Sequence, residues 1–100
     1  MSFSKIKSVS KSADASAIVG RTRVVGVYYT CTNTGASFSL KDGTTTAGTA
    51  KMTITTPAAA GGYDIIIPDM GILFEDGVFI DVASSEVTSV TLLFEGGAAA

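Results

Sequence analysis

The alternating segment TRVVGVYYTCT, residues 22–32, restricts the fold more than any other part of the chain. Successive side chains of a β-strand point to opposite faces of the sheet. One face would carry Val25, Val27, Tyr29 and Cys31, and the opposite face Val24, Gly26, Tyr28 and Thr30. Both faces contain apolar residues, which predicts a strand that is central in its sheet or buried at an interface.

Shorter segments with the same period of two follow, separated by glycine, proline, asparagine and aspartate. They are SFSLKD, AKMTITT, YDIII, GILF, VFIDVA and EVTSVTLLFEG. No segment has the 3.6-residue period or the caps of a helix. Seven or eight short strands at a spacing of about ten residues predict one all-β domain, an antiparallel β-sandwich or jelly roll.

The turns are predicted from residues that tolerate unusual backbone angles or end a strand. Gly35 closes the NTG turn and is free to take a positive φ, and Pro68 cannot donate a hydrogen bond to a ladder. The predicted structural turn residues are Gly35, Asp42, Gly43, Pro68, Gly71 and Gly77.

Charge divides the chain into a basic beginning and an acidic remainder. Residues 1–23 hold five basic residues and one acid, a net +4, while residues 24–100 hold two basic residues and eight acids, a net −6. We therefore expect a Ser/Lys-rich N-terminal arm over 1–23 with one or two short strands, a core over 24–95, and a flexible tail over 96–100. The arm could bind its own domain, a neighbouring copy or an acidic partner, or its charges could simply be solvated.

The residues that are missing exclude several kinds of chemistry. The chain has no histidine and one cysteine, so a Ser-His-Asp or Cys-His nucleophile and an internal disulfide are excluded within one chain. Cys31 is expected to be a buried, inert thiol. No apolar run reaches 18 residues, no secretory signal begins the chain, and the net charge is −2. We expect maturation in a reducing cytoplasm, no cofactor, and no nucleic-acid or membrane partner.

Carboxylates are the remaining route to chemistry, because they cluster around PDMGILFEDGVFIDV, residues 68–82. Two acids across a cleft could act as a glycosidase pair, and several oxygens could bind calcium. The candidates are Asp64, Asp69, Glu75, Asp76 and Asp81. Their spacing matches no calcium loop, and acids are common in solvated turns. We therefore predict neither an enzyme nor a metal site.

An oligomer interface is the preferred interpretation of the second apolar face. Tyrosine suits interfaces because its ring is apolar and its hydroxyl can still find a partner. The candidate interface residues are Lys5, Lys7, Lys11, Arg21, Arg23, Val24, Tyr28, Ile66 and Leu93. The alternative is that bulges in the strands switch which face is buried. A carbohydrate-binding module would need more exposed aromatic residues, and the chain has no Trp and only three Tyr.

The C-terminal half reads P-x-x-GI-x-F-x-x-GV-x-x-x-V and then VTSVTLLFEG, and it is preceded by VGVYYTCT and SFSLKDG. This series resembles small β-sandwich structural proteins of tailed bacteriophages, particularly those of marine bacteria. The resemblance covers residues 24–95. The residues that carry it are Val25, Gly26, Tyr28, Leu40, Lys41, Asp42, Gly43, Pro68, Gly71, Ile72, Phe74, Gly77, Val78, Val90, Thr91 and Phe94.

The resemblance implies a virion component that is present in many copies and has no catalytic residues. It implies a capsid decoration or cement protein, with a homotrimer favoured, that binds the major capsid protein or other virion proteins where capsomers meet. A tail ring, an adaptor or a fibre-attachment component is the alternative. Either location would follow assembly in the host cytoplasm.

Overall fold

The chain folds into eight antiparallel strands in a computed structural model that describes residues 5–82 and 84–100. The strands are β1 (Lys7–Lys11), β2 (Ala15–Cys31), β3 (Ser37–Asp42), β4 (Thr49–Thr55), β5 (Gly61–Ile66), β6 (Ile72–Phe74), β7 (Gly77–Asp81) and β8 (Val87–Ala99). The described residues contain no helix, and hence none that could cross a membrane. The predicted all-β class is confirmed.

The strands belong to one hydrogen-bonded sheet with the order β1-β8-β2-β7-β3-β4. The long strand β2 is its centre, as predicted for an alternating segment with two apolar faces. One edge of β2 pairs with β8, and its other edge pairs in succession with β7, β6 and β5. Strand β2 therefore joins the C-terminal strand to three strands from the second half of the chain.

The core lies where the sheet curls over itself. The rings of Tyr29 on β2 and Phe38 on β3 meet edge to face at 5.4 Å, although these strands are not hydrogen-bonded neighbours. Tyr63 of β5 stacks on the other side of Tyr29 at 5.6 Å. Cys31 is a buried free thiol beside them. This packing fits a sandwich-like domain, although all eight strands belong to one open sheet and the predicted sandwich or jelly roll itself is not confirmed.

A bulge in β2 corrects one interface candidate. Val24 pairs with Phe94 and Gly26 pairs with Leu93, so Val25 is an extra residue in β2. The extra residue switches the buried face: Val24 points into the core and is 0% exposed, while Val27 and Tyr29 continue the core after it. Val24 is therefore a core residue, and its prediction as an interface residue was wrong. The alternative that the sequence left open, a bulge that switches which face of the strand is buried, is what the structure shows at Val24.

Both ends of the described chain take part in the sheet. Strand β2 runs from Ala15 without a break across residue 23, and Ala17 and Ile18 are fully buried in the core. At the other end, β8 continues to Ala99, and the Ala100 N–H donates to the Ala17 carbonyl at 2.9 Å. Small residues at 96–100 allow this close approach. The expected arm contributes β1 and the start of β2 to the sheet, its residues 1–4 lie outside the described residues, and the expected tail continues β8.

The turn residues follow the predictions with one exception. Gly43, Gly71 and Gly77 have positive φ angles of 136°, 82° and 138°. Strand β5 ends at Ile66, and Pro68 begins a turn in which its carbonyl accepts the Gly71 N–H at 3.1 Å. Gly35 is the exception, because it is not among the glycines with positive φ. Two neighbouring bends at residues 33–34 lie between β2 and β3 instead.

Candidate interaction face

Four neighbouring strands expose one broad surface on the side of the sheet away from the core. Its residues alternate with the buried residues of β1, β8, β2 and β5, and they are aligned by the registers Ser8↔Leu93, Gly26↔Leu93, Gly26↔Ile66 and Tyr28↔Asp64. We call this surface the outer face. It consists of Ser8, Ser10, Arg23, Gly26, Tyr28, Thr30, Asp64, Ile66, Ser89, Thr91, Leu93 and Glu95.

The centre of the outer face is apolar and smooth. Ile66 and Leu93 flank Gly26 on its two sides, and Leu93 leans across it, because a Cβ at Gly26 would lie 3.1 Å from Leu93 Cδ1. The Tyr28 ring likewise covers Gly62, where a Cβ would lie 2.0 Å from the Tyr28 hydroxyl. Ile66 is 71% exposed and Tyr28 45% exposed. The structure thus brings together three of the predicted interface residues.

Charges of both signs lie on the outer face without ion pairs. Arg23 is opposite Glu95 of β8, and Asp64 is opposite Tyr28. Within residues 5–82 and 84–100 the only ion pair joins Lys41 Nζ and Asp81 Oδ2 at 2.8 Å. The charged groups of Arg23, Glu95 and Asp64 therefore remain available to another molecule.

Two of the predicted basic residues contact the end of their own chain. Lys7 Nζ donates to the Gly97 carbonyl at 2.7 Å and lies 5.3 Å from the centroid of the Phe94 ring. Lys11 Nζ donates to the Ala100 oxygen at 3.4 Å. Lys7 and Lys11 thus bind their own domain, one of the alternatives left open by the sequence. Lys5 and Arg21 are exposed.

A network of hydroxyl groups occupies the end of the outer face beyond Tyr28. Thr30 Oγ1 lies 2.5 Å from Thr88 Oγ1 and 2.6 Å from Ser89 Oγ, and Thr91 Oγ1 donates to Ser10 Oγ at 3.0 Å. These hydroxyls satisfy one another across β1, β8 and β2. The sequence analysis did not identify this network, although alternating Ser and Thr in VTSVT and in residues 8–10 is its signal.

A strained turn borders the outer face at Ile66. Asp69 and Met70, between Pro68 and Gly71, have φ angles of 56° and 68°, as in a type I′ turn. Asparagine and glycine suit these two positions, whereas a long side chain in this conformation costs about 1–2 kcal/mol. Met70 nevertheless occupies one of them and is 71% exposed. Ile66 and Met70 are the two most exposed large apolar residues described.

The acidic segment forms an internal clamp. Asp42, at the end of β3, accepts hydrogen bonds from the backbone N–H groups of Glu75 and Asp76 at 3.1 and 2.9 Å. Gly43 N–H donates to the Gly77 carbonyl at 3.1 Å and closes the same junction. Asp42 therefore fixes the β6–β7 turn through the backbone of Glu75 and Asp76.

Two opposing effects set the ionisation of the Asp42 carboxyl. Desolvation raises its pKa, but hydrogen bonds from the backbone of Asp76 and Glu75, the charge of Lys51, and a hydrogen bond from Gly77 outweigh it and lower the pKa below the ordinary value of 3.8. The described residues contain no group of three or more His, Cys, Asp or Glu side chains that could hold a metal ion.

We expect Asp42→Asn to lower the free energy of unfolding at pH 7 by about 1–2 kcal/mol, because a neutral amide accepts these hydrogen bonds more weakly. The folded-state pKa is depressed, so this stabilisation is complete above pH 3.8 and is lost as the pH falls through the folded-state pKa. Urea denaturation should therefore show a gap between wild type and variant that is constant from pH 7 to pH 5 and narrows below pH 3.8. A gap that does not change at acid pH would contradict the clamp.

Comparisons with protein-family models, with curated proteins and with solved structures found no match to this chain. Its function is therefore inferred from the outer face and from the sequence motifs.

Proposed function

We propose that the chain is a structural protein of a bacteriophage virion, a capsid decoration protein that acts as a homo-oligomer across capsid subunit junctions. The observation that carries this proposal is the apolar centre of the outer face, where Tyr28, Ile66 and Leu93 surround Gly26. Exposed apolar groups gathered in one place mark a surface that another protein covers. The motif series over residues 24–95 supplies the virion context.

The proposed role is mechanical. Each apolar side chain that passes from water into an interface contributes about 1.5–3 kcal/mol, and Tyr is favoured among the residues that dominate binding. A sheet with a central strand paired along both edges is a rigid base for such a surface. Many copies that bind across junctions would raise the energy needed to separate capsid subunits.

We expect Ile66→Asp to abolish self-association and leave folding unchanged, because Ile66 is 71% exposed at the centre of the outer face. Light scattering after size-exclusion chromatography would measure the mass, and thermal denaturation would measure Tm. Val19→Asp is the matched control, since Val19 is 49% exposed on the same sheet but lies outside the outer face. Equal loss of association in both variants would contradict an interface at the outer face.

The virion location is tested by labelling the protein in purified particles and counting its copies. A copy number in fixed proportion to the capsomers, with label over the capsid, is the expected result. A copy number equal to the number of subunits in one tail ring, with label at the tail, would contradict a capsid decoration protein and support a tail component. Absence from purified virions would overturn both.

A further inference from the structure

We propose that a second copy of the chain packs face to face on the outer face, related by a two-fold axis that crosses the strands at Gly26. Each Arg23 then lies against Tyr28 and Asp64 of the other copy. This inference names the partner at the proposed interface and therefore rests on the self-association in the proposed function.

The registers arrange the outer face in rows that suit such an axis. The middle row is Leu93, Gly26 and Ile66 on three adjacent strands. Tyr28 and Asp64 form the next row on one side, whereas Arg23 lies on the other side of the middle row. A two-fold axis along the middle row exchanges the two flanking rows, so the Arg23 row of one copy faces the Tyr28 row of the other.

The middle row provides the contact and the flanking rows provide the specificity. Facing sheets pack about 10 Å apart, a distance that two layers of side chains fill. Ile66 and Leu93 would meet their counterparts across the axis. Arg23 is long enough to reach the face of the opposing Tyr28 ring, a favourable cation–π geometry, with the Asp64 carboxylate beside it.

The distribution of charge favours a second copy of this chain in this orientation. Arg23 lies beside Glu95 on one side of the apolar row, Asp64 lies on the other side, and none of the three has an ion pair in the residues described. The two-fold rotation brings Arg23 against Asp64 of the other copy and Glu95 against the uncharged Thr91, so opposite charges meet and like charges do not. An axis along the strand β2 would instead place Arg23 against Arg23, where like charges repel.

The test is a charge-reversal cycle on the full chain. Arg23→Glu or Asp64→Arg alone should each weaken the dimer at least about tenfold in Kd, because each places like charges together. The double variant should recover the wild-type Kd within about threefold. Lys51→Glu, which makes the same change of charge on β4 outside the outer face, should have no effect.

Mixing the two single variants provides the sharper result. In a dimer of one Arg23→Glu chain with one Asp64→Arg chain, one contact joins the two substituted positions with the signs exchanged, and the other keeps the wild-type pair of Arg23 and Asp64. Neither contact is repulsive, so the mixture should form a 1:1 heterodimer more tightly than either variant alone. Tm measured for each chain separates a folding defect from a binding defect. If either charge variant unfolds, Tyr28→Leu replaces it as the test. This change keeps an apolar side chain but removes the ring that Arg23 would contact, so it should also weaken the dimer.

Failure of rescue, in the double variant and in the mixture, would overturn the two-fold pairing. A solution mass of three chains for the wild-type protein would overturn the two-fold pairing as well. If Ile66→Asp still abolishes association in either case, the interface of the proposed function stands and only its geometry is wrong.

Discussion

Gly71→Val is expected to leave most of the chain unfolded or to lower its Tm sharply. The glycine has a φ of 82°, and a Cβ there would lie 2.2 Å from the Val24 carbonyl oxygen and 2.8 Å from the Val24 carbonyl carbon. Neither atom can move without opening the centre of β2. Left-handed strain and forced overpacking together cost about 2–5 kcal/mol, out of a total stability of about 5–15 kcal/mol for a domain.

Circular dichroism during thermal denaturation would measure the effect of Gly71→Val. Gly35→Ala is the matched control, because its new Cβ would lie 3.5 Å from the Thr56 carbonyl oxygen, an ordinary contact, at a residue without positive φ. Asp69→Asn should also be harmless, since asparagine tolerates the left-handed conformation of Asp69, whose φ is 56°. A wild-type Tm for Gly71→Val would show that the chain turns differently before β6.

Gly77→Val is expected to be the second most damaging change. Its φ is 138°, and a Cβ there would lie 2.5 Å from the Ile18 carbonyl oxygen and 3.3 Å from the Gly43 carbonyl oxygen. This position joins β7 to β2 on one side and to the β3–β4 hairpin on the other. The valine would separate these strands, so hydrogen exchange should lose protection in β7, β3 and β4 together.

Asp76→Asn separates the backbone role of this turn from an acidic role. The Asp76 N–H donates to Asp42 and its carbonyl accepts the Gly20 N–H at 3.3 Å, so asparagine preserves every described hydrogen bond of Asp76. Unchanged stability and association are expected in denaturation and light-scattering measurements. A folded Asp76→Asn protein that has lost its function would reinstate the hypothesis of an acidic site.

Alternation in the sequence was enough to predict the strands because both the period and the turn residues are local. The register of β2 could not be predicted from alternation. The extra residue Val25 is recognised only when β2 is aligned with β8, whose residues are far away in the chain. The same limit explains why the side chain of Val24 was predicted on the exposed face of the sheet. Alternation counted from Val25 placed it on the wrong face, and only the bulge shows that its side chain belongs to the core.

The candidate site was predicted in part for the same reason. Tyr28, Ile66 and Leu93 were selected one strand at a time, and the sheet then placed them around Gly26. Asp42 binds Glu75 and Asp76, which follow it in the chain by 33 and 34 positions. The Asp-Gly pair in the sequence predicts a turn but not these distant hydrogen bonds. Likewise, no local signal shows that residues 96–100 pair with the other end of β2.

The position of β8 determines when a newly made chain can fold. Strand β8 lies between β1 and β2, so the two earliest strands meet their shared neighbour only after residues 87–99 have been synthesised. Until then one edge of β2 has no partner, and contacts between distant residues make the final step slow. A chain truncated on the ribosome before residue 87 would lack the strand that carries Leu93. Translation through β8 is therefore needed before β1 and β2 share a sheet and before Leu93 joins Gly26 and Ile66 on the outer face.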